Sequence, residues 1–238
     1  VQTGGPGTRS AVRVSVSGGG TNVVDETIIR PTDVSLVLDP ISTSYAFYEG
    51  ASLVAPEGRI RIVALADLRT APGTRIPSAN LTYTWKTAGR ILQAESGVGK
   101  STLVATAPVL FRDTDVSVTV SSADGTLVGE ASVAISPTDP QLLLYKESPL
   151  EGAVFSSALS KDYSLTGSEE AFRAVPYFFP TDPSLTWLLN GKAAGTDPLI
   201  TVRTTGDRAG SATLSVEAKQ FGAFYSANNS LIVRFGAT

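Results

Sequence analysis

Leu81-Thr82-Tyr83-Thr84-Trp85-Lys86-Thr87-Ala88-Gly89-Arg90 is a β-branched and aromatic run that ends in a tryptophan, turns at a glycine and leaves on a cation. The chain says this twice. Leu185-Thr186-Trp187-Leu188-Leu189-Asn190-Gly191-Lys192 is the second copy, and Trp85 and Trp187 are the only two tryptophans present. A strand carrying one large ring, followed by a tight turn, is the pattern of a central strand in a two-sheet sandwich. Trp85 and Trp187 are therefore expected in two separate cores.

Outward from these strands the repeat continues. Ile29-Arg30-Pro31-Thr32-Asp33, followed by Leu36 and Leu38, is echoed by Ile135-Ser136-Pro137-Thr138-Asp139, followed by Leu142 and Leu144. Glu49-Gly50-Ala51 returns as Glu151-Gly152-Ala153, and Gly89 returns as Gly191. Four matches in one order define a repeat of about 100 residues, the size of one sandwich domain. Inside each copy, apolar residues alternate with polar ones. Ile60, Ile62 and Ala64 flank Arg61; Val116, Val118 and Val120 flank Ser117 and Thr119. In the second copy Phe172 and Ala174 flank Arg173, and Ala212, Leu214 and Val216 flank Thr213 and Ser215. Period 2 means sheets with one dry and one wet face. No segment holds a helical period over 11 residues.

The chain has 238 residues, a net charge of -3 and 42% hydrophobic residues. That suffices for two small cores and offers no basic footprint for nucleic acid. No apolar run is long enough to span a bilayer as a helix. Cys, His and Met are all absent. The chain thus lacks a thiol nucleophile, the commonest general base and a zinc-thiolate set. Val1 in place of Met reads either as a processed N-terminus, as after removal of a signal peptide, or as the start of a fragment of a longer chain.

Residues 1–10 include Gly4-Gly5-Pro6-Gly7, from which no core can be built. Ala11-Val12-Arg13-Val14-Ser15-Val16-Ser17 then alternates as one strand, and Gly18-Gly19-Gly20 cuts it off. The expected organisation is an N-terminal arm over 1–28 with a detached strand over 11–17. One sandwich follows over 29–136 and a second over 137–238. Pro137-Thr138-Asp139 follows the last strand of the first copy and leaves almost no linker.

The Thr-Trp strand, its turn glycine and the run Val116 to Val120 resemble bacterial immunoglobulin-like and PKD-like surface modules. Ser96-Gly97-Val98-Gly99-Lys100 followed by Val118-Thr119-Val120-Ser121-Ser122-Ala123-Asp124-Gly125 is similar to tandem immunoglobulin-like proteins of the bacterial cell surface. The chain departs from antibody domains, which carry a Cys pair around the Trp. It also departs from PKD modules, which place an acidic, glycine-rich loop after it. The resemblance implies two tandem immunoglobulin-like β-sandwiches and a secreted, cell-surface location. It implies no catalytic residues.

Four features could carry chemistry. Ala94-Glu95-Ser96-Gly97-Val98-Gly99-Lys100-Ser101 satisfies a relaxed phosphate-loop pattern. Leu103 to Pro108 follows it, β-like and then proline, where a phosphate loop needs a helix. The expected structure is a hairpin loop. Glu169-Glu170, Asp113 with Asp115, and Asp33 with Asp139 at the domain starts could each offer oxygens to a hard cation, but each reads first as a solvated loop or strand face. Tyr45-Ala46-Phe47-Tyr48, Tyr177-Phe178-Phe179 and Phe221-Gly222-Ala223-Phe224-Tyr225 cluster aromatics. Consecutive rings cannot alternate into one core, so some mark an interface or a carbohydrate platform, or fold back over the sandwich ends. Finally, Val12, Val14 and Val16 form an apolar face on a strand with no sheet of its own.

The expected function is structural: a subunit of an extracellular bacterial surface filament or layer, such as a pilus. It would assemble head to tail as Val12, Val14 and Val16 act as a donor strand to a neighbouring copy. The alternative is an adhesin-like ectodomain holding carbohydrate or protein through loops and aromatics. An enzyme is not expected, nor any cofactor, metal or nucleic-acid partner; the expected partner is the chain itself.

Overall fold

A computed structural model of the chain describes residues 5–6, 8–18, 21–42, 45, 53–70, 73–206, 208–220, 222 and 224–236. It is all-β: two immunoglobulin-like sandwiches with an N-terminal extension. Two compact units divide it. The first takes Val1–Asp39, Ile60–Ala105 and Arg112–Ser136; the second takes Pro40–Arg59, Thr106–Phe111 and Pro137–Thr238. Segments 40–59 and 106–111 thus belong to the second unit, although the sequence repeat placed them in the first. Local bonds explain the grouping. Thr138 N–H donates to the Val54 carbonyl at 2.8 Å, and Ala107 N–H to the Gly58 carbonyl at 2.8 Å. Ala55 packs with Tyr145, Tyr177 and Phe178 in one buried cluster.

The first unit opens with β1 (Ser10–Gly18) and β2 (Thr21–Ile29). β3 (Asp33–Pro40), β4 (Arg59–Asp67), β5 (Thr82–Thr87), β6 (Arg90–Ile91), β7 (Gly97–Val98), β8 (Thr102–Thr106), β9 (Thr114–Ser121) and β10 (Val128–Ile135) follow. One sheet runs β3-β4-β8. The other runs β10-β9-β5-β6, with β7 also on β5. Trp85 sits opposite Val118, which sits opposite Ala131. Ile60, Ile62, Tyr83, Trp85, Val118 and Val120 are at most 1% exposed, so the alternating face of each strand is the dry one.

The second unit holds β11 (Gln141–Ser148), β12 (Gly152–Ala153), β13 (Asp162–Ser164), β14 (Glu169–Tyr177), β15 (Ser184–Leu189), β16 (Lys192–Gly195), β17 (Leu199–Arg203), β18 (Gly210–Lys219) and β19 (Ser226–Phe235). The sheets run β12-β11-β14-β17 and β13-β19-β18-β15-β16. Leu144, Phe172 and Ala174 of the first meet Trp187, Leu214, Val216 and Val233 of the second in one core. Trp187 sits opposite Val216, which sits opposite Asn229, the same three-strand arrangement as around Trp85. At roughly 25 cal/mol per Å², burying the 150–250 Å² of such a ring contributes about 4–6 kcal/mol.

The two tryptophans share more than burial. Trp85 Nε1 donates to the Lys100 carbonyl and Trp187 Nε1 to the Asp197 carbonyl, each at 2.8 Å. Each indole thus pins the segment beyond its own hairpin. The turns match as well. Ala88 and Gly89 have φ of 45° and 76°, and Asn190 and Gly191 have 50° and 78°. Two consecutive positive φ values are the mirror-image turn that suits the twist of a hairpin.

The expected detached strand is not alone. Residues 11–17 lie within β1, and β1 pairs antiparallel with β2 from Ser10↔Ile29 to Gly18↔Thr21. Only positions 19 and 20 separate the strands. The backbone groups that a single strand would leave unpaired are met on one side by β2.

Candidate functional site

β1 and β2 form a two-stranded sheet of their own, and no third strand joins it among the described residues. The register decides its faces. Val12 lies opposite Thr27, Val14 opposite Asp25 and Val16 opposite Val23, so these six residues share one face. Ala11 with Ile28, Arg13 with Glu26 and Ser15 with Val24 share the other. Val14 is 55% exposed, Val16 65% and Val23 61%. Val12 is half-buried, while Val24 and Ile28 on the opposite face are exposed. A hairpin with wet valines on both faces is marginal in water without a third strand or a packed face.

The ribbon's stem is fixed where it enters the sandwich. The Thr32 hydroxyl donates to the Val128 carbonyl at 2.8 Å. A Cβ on Gly129 would stand 2.6 Å from Val34 Cγ2 and 2.9 Å from Thr32 Oγ1. Only a residue without a side chain lets the stem lie this close to β10.

β2 escaped the sequence reading. Val23-Val24 and Ile28-Ile29 are adjacent pairs around Asp25-Glu26, so no period-2 signal exists. The available signal was different: a glycine pair between two β-branched runs, which is a hairpin pattern.

The phosphate-loop match is structural. A short 3-10 turn, Gln93–Glu95, leads into β7, and the strand β8 follows where a helix would be needed. Lys100 Nζ donates to the Ala94 carbonyl within the same loop. Ser96 Oγ accepts the Trp85 N–H at 3.0 Å and donates to the Leu92 carbonyl at 2.8 Å. The motif braces a tryptophan, and its cation is turned inward on its own loop.

Tyr177, Phe178 and Phe179 are 1%, 0% and 7% exposed. Phe178 has φ of 59°, which breaks the strand alternation. Tyr177 and Phe178 therefore enter one cluster and Phe179 the main core. Consecutive rings can all be buried because there are two places to bury them. Tyr45 packs against Tyr177 with ring centroids 4.6 Å apart and planes tilted by 52°; Ala46, Phe47, Tyr48, Phe221 and Ala223 lie outside the described residues, as do Glu49, Gly50 and Ala51. Phe224 is fully exposed beside a cleft of about 420 Å³ lined by Ser184, Lys219, Gln220 and Tyr225.

Glu169 and Glu170 point to opposite faces of β14. Glu169 pairs outside with Arg203. Glu170 points inward, 7% exposed, and its Oε1 takes the Tyr163 hydroxyl at 2.6 Å and an ion pair from Lys146. Burial pushes the Glu170 carboxyl up, but the Lys146 and Tyr163 hydrogen bonds outweigh it and hold the group below its ordinary value. Lys146 is raised, first by its bond to Glu170. Burial raises Tyr163. All three groups stay in their ordinary charge states at neutral pH. Asp33, Asp113, Asp115 and Asp139 are exposed, and no group of three or more acidic residues among the described residues could hold a metal ion. No helix among the described residues is long and apolar enough to cross a membrane.

No family model matches this chain, and no curated protein does. Among solved structures it is similar to the fibronectin(III)-like modules of Clostridium thermocellum CbhA. There identity is 12%, coverage is 84% of this chain and 95% of that one, and the TM-score is 0.29. The N-terminal four Ig domains of Dscam1 isoform 4.44 match at 13% identity over 83% of this chain and 46% of that one, with TM-score 0.32. Sidekick-1 immunoglobulin domains 1-5 match at 12% identity over 94% and 66%, with TM-score 0.27. This chain thus spans about half of the Dscam1 fragment. Likenesses this distant carry nothing about ligand or partner.

Proposed function

We propose that this chain is a structural subunit of an extracellular bacterial surface assembly, and that the β1–β2 ribbon joins it to a neighbouring copy. The single observation that carries this reading is the ribbon itself: exposed valines on a two-stranded sheet that no third strand joins among the described residues. Such a face gains stability only by extending into another sheet or covering its apolar side. The head-to-tail donor strand expected from sequence becomes, in this reading, a ribbon that offers the one edge of β1 not taken by β2.

The test is the assembly state of the full chain against a chain lacking residues 1–29, which keeps the Thr32 and Val34 stem. Sedimentation should show concentration-dependent association for the first and folded monomers for the second. A full chain that stays monomeric at high concentration rejects the reading.

A second reading, an adhesin-like ectodomain, draws support from Phe224. A fully exposed ring beside a cleft that mixes apolar surface with Ser184, Lys219 and Gln220 is what a sugar-stacking site presents. Glycan-array binding lost in Phe224→Ala, with the chain monomeric throughout, would favour it.

A further inference from the structure

We propose that the free edge of β1 is self-complementary, and that two copies of the chain pair through it antiparallel about Val14. The proposal rests on the assembly reading and names its partner surface: the same strand of a second copy. β1 spends one edge on β2, and among the described residues no strand pairs with the other. Between Ala11 and Ser15, alternate N–H and C=O groups along that edge point away from β2 and can form a ladder.

The sequence of the strand selects the register. Centred on Val14, antiparallel pairing sets Val14 against Val14 of the second copy and Val12 against its Val16. Arg13 falls opposite Ser15. No like charges meet, and three valines from each copy form one uninterrupted stripe on one face. A slip of one residue would turn one copy's valines to the opposite face. A slip that sets Arg13 against Arg13 would oppose two cations.

β2 does not share this property. Centred pairing of its edge would set Asp25 against Asp25, and Glu26 stands beside it. Acidic residues on an edge strand are a standard guard against edge pairing. A head-to-tail join of β1 to a neighbour's β2 would repeat the register within the hairpin. That would place Asp25 opposite Val14 within the valine stripe. The β1–β1 join sets a valine rather than a second carboxylate beside Val14, which already faces Asp25 within its own hairpin. It also closes: a two-fold contact consumes both free β1 edges and leaves the two acidic β2 edges outermost. Any longer assembly is then built from such pairs.

The absence of cysteine from the chain makes the test clean. Opposed residues of an antiparallel pair have Cα atoms about 4.5–5.5 Å apart, within disulfide reach. The full-length Val14→Cys variant should oxidise to a covalent dimer at low protein concentration, and Asp25→Cys should not. Val14→Glu and Val14→Lys, each alone, should weaken association roughly tenfold or more by setting like charges face to face. An equimolar mixture of the two should recover a heterodimer. Val14 is exposed, so near-ultraviolet circular dichroism should show both sandwiches unchanged in every variant. Wild-type association without cross-linking of Val14→Cys, or without recovery in the mixture, overturns the two-fold pairing and leaves the assembly reading standing. A monomeric wild type overturns both.

Discussion

Trp85 and Trp187 each combine full burial with one hydrogen bond to a loop carbonyl. Replacing either with Ala should cost about 3–5 kcal/mol and unfold its own unit first. Trp85→Phe keeps much of the packing but orphans the Lys100 carbonyl, at about 1–3 kcal/mol. Denaturant unfolding followed by far-ultraviolet circular dichroism reads both, with the remaining tryptophan's fluorescence marking the unaltered unit. Ala88 offers the opposite sign. Its left-handed conformation strains an alanine, whereas Asn190 at the matching turn accepts the Thr213 N–H through its side chain at 2.8 Å. The two backbones agree there: Ala88 N–H donates to Asp115 and Asn190 N–H to Thr213. Ala88→Asn should stabilise the first unit by about 0.5–1 kcal/mol, visible as a higher melting temperature.

At the scale of elements, β11, β13 and β14 meet at a buried carboxylate, and its pH dependence has two sides. Glu170 is depressed in the folded state, so its contribution is present above the ordinary carboxylate value and lost as pH falls through the folded value. Lys146 is raised, so its contribution holds below the ordinary lysine value and is lost as pH rises through the folded one. Unfolding midpoints of wild type should therefore fall at acid pH more steeply than those of Glu170→Gln. Lys146→Met leaves the buried carboxylate with Tyr163 but no cation and should cost about 1–3 kcal/mol at neutral pH, a figure held down because Lys146 keeps 39% of its side chain in solvent. The stem of the ribbon depends on Gly129 in a different way. Gly129→Ala forces Thr32 and Val34 off β10 and should cost about 1–3 kcal/mol, with faster amide exchange along β2 and β3 as the local readout.

Over the whole molecule, two sandwiches of one pattern carry one ribbon of another. The sandwiches bury their dry faces, bond both tryptophans and keep the phosphate-like loop internal. The ribbon leaves its valines exposed, and that contrast is the reason to place function there. A chain with Lys100→Ala should accordingly assemble and melt much like wild type, since Lys100 reaches only its own loop. Loss of assembly in that variant, measured by light scattering, would move function from the ribbon to the loop.

Period-2 alternation and the repeated tryptophan strand were enough to define sheets, dry faces and two cores, because burial on one face of a strand is a local property of its sequence. The same alternation located β1 and its valines. It was blind to β2, whose apolar residues sit in adjacent pairs because neither face of the ribbon is buried and no selection for one face is written into it. It left the placement of Tyr177-Phe178-Phe179 open. There one residue with positive φ and a second buried cluster decided the outcome, and both depend on segments far apart in the chain. Which segments joined which compact unit, and which carboxylate of Glu169-Glu170 turned inward to Lys146 and Tyr163, were likewise fixed only by long-range contacts. Local pattern wrote the strands; the pairing of distant strands decided which edge was left open.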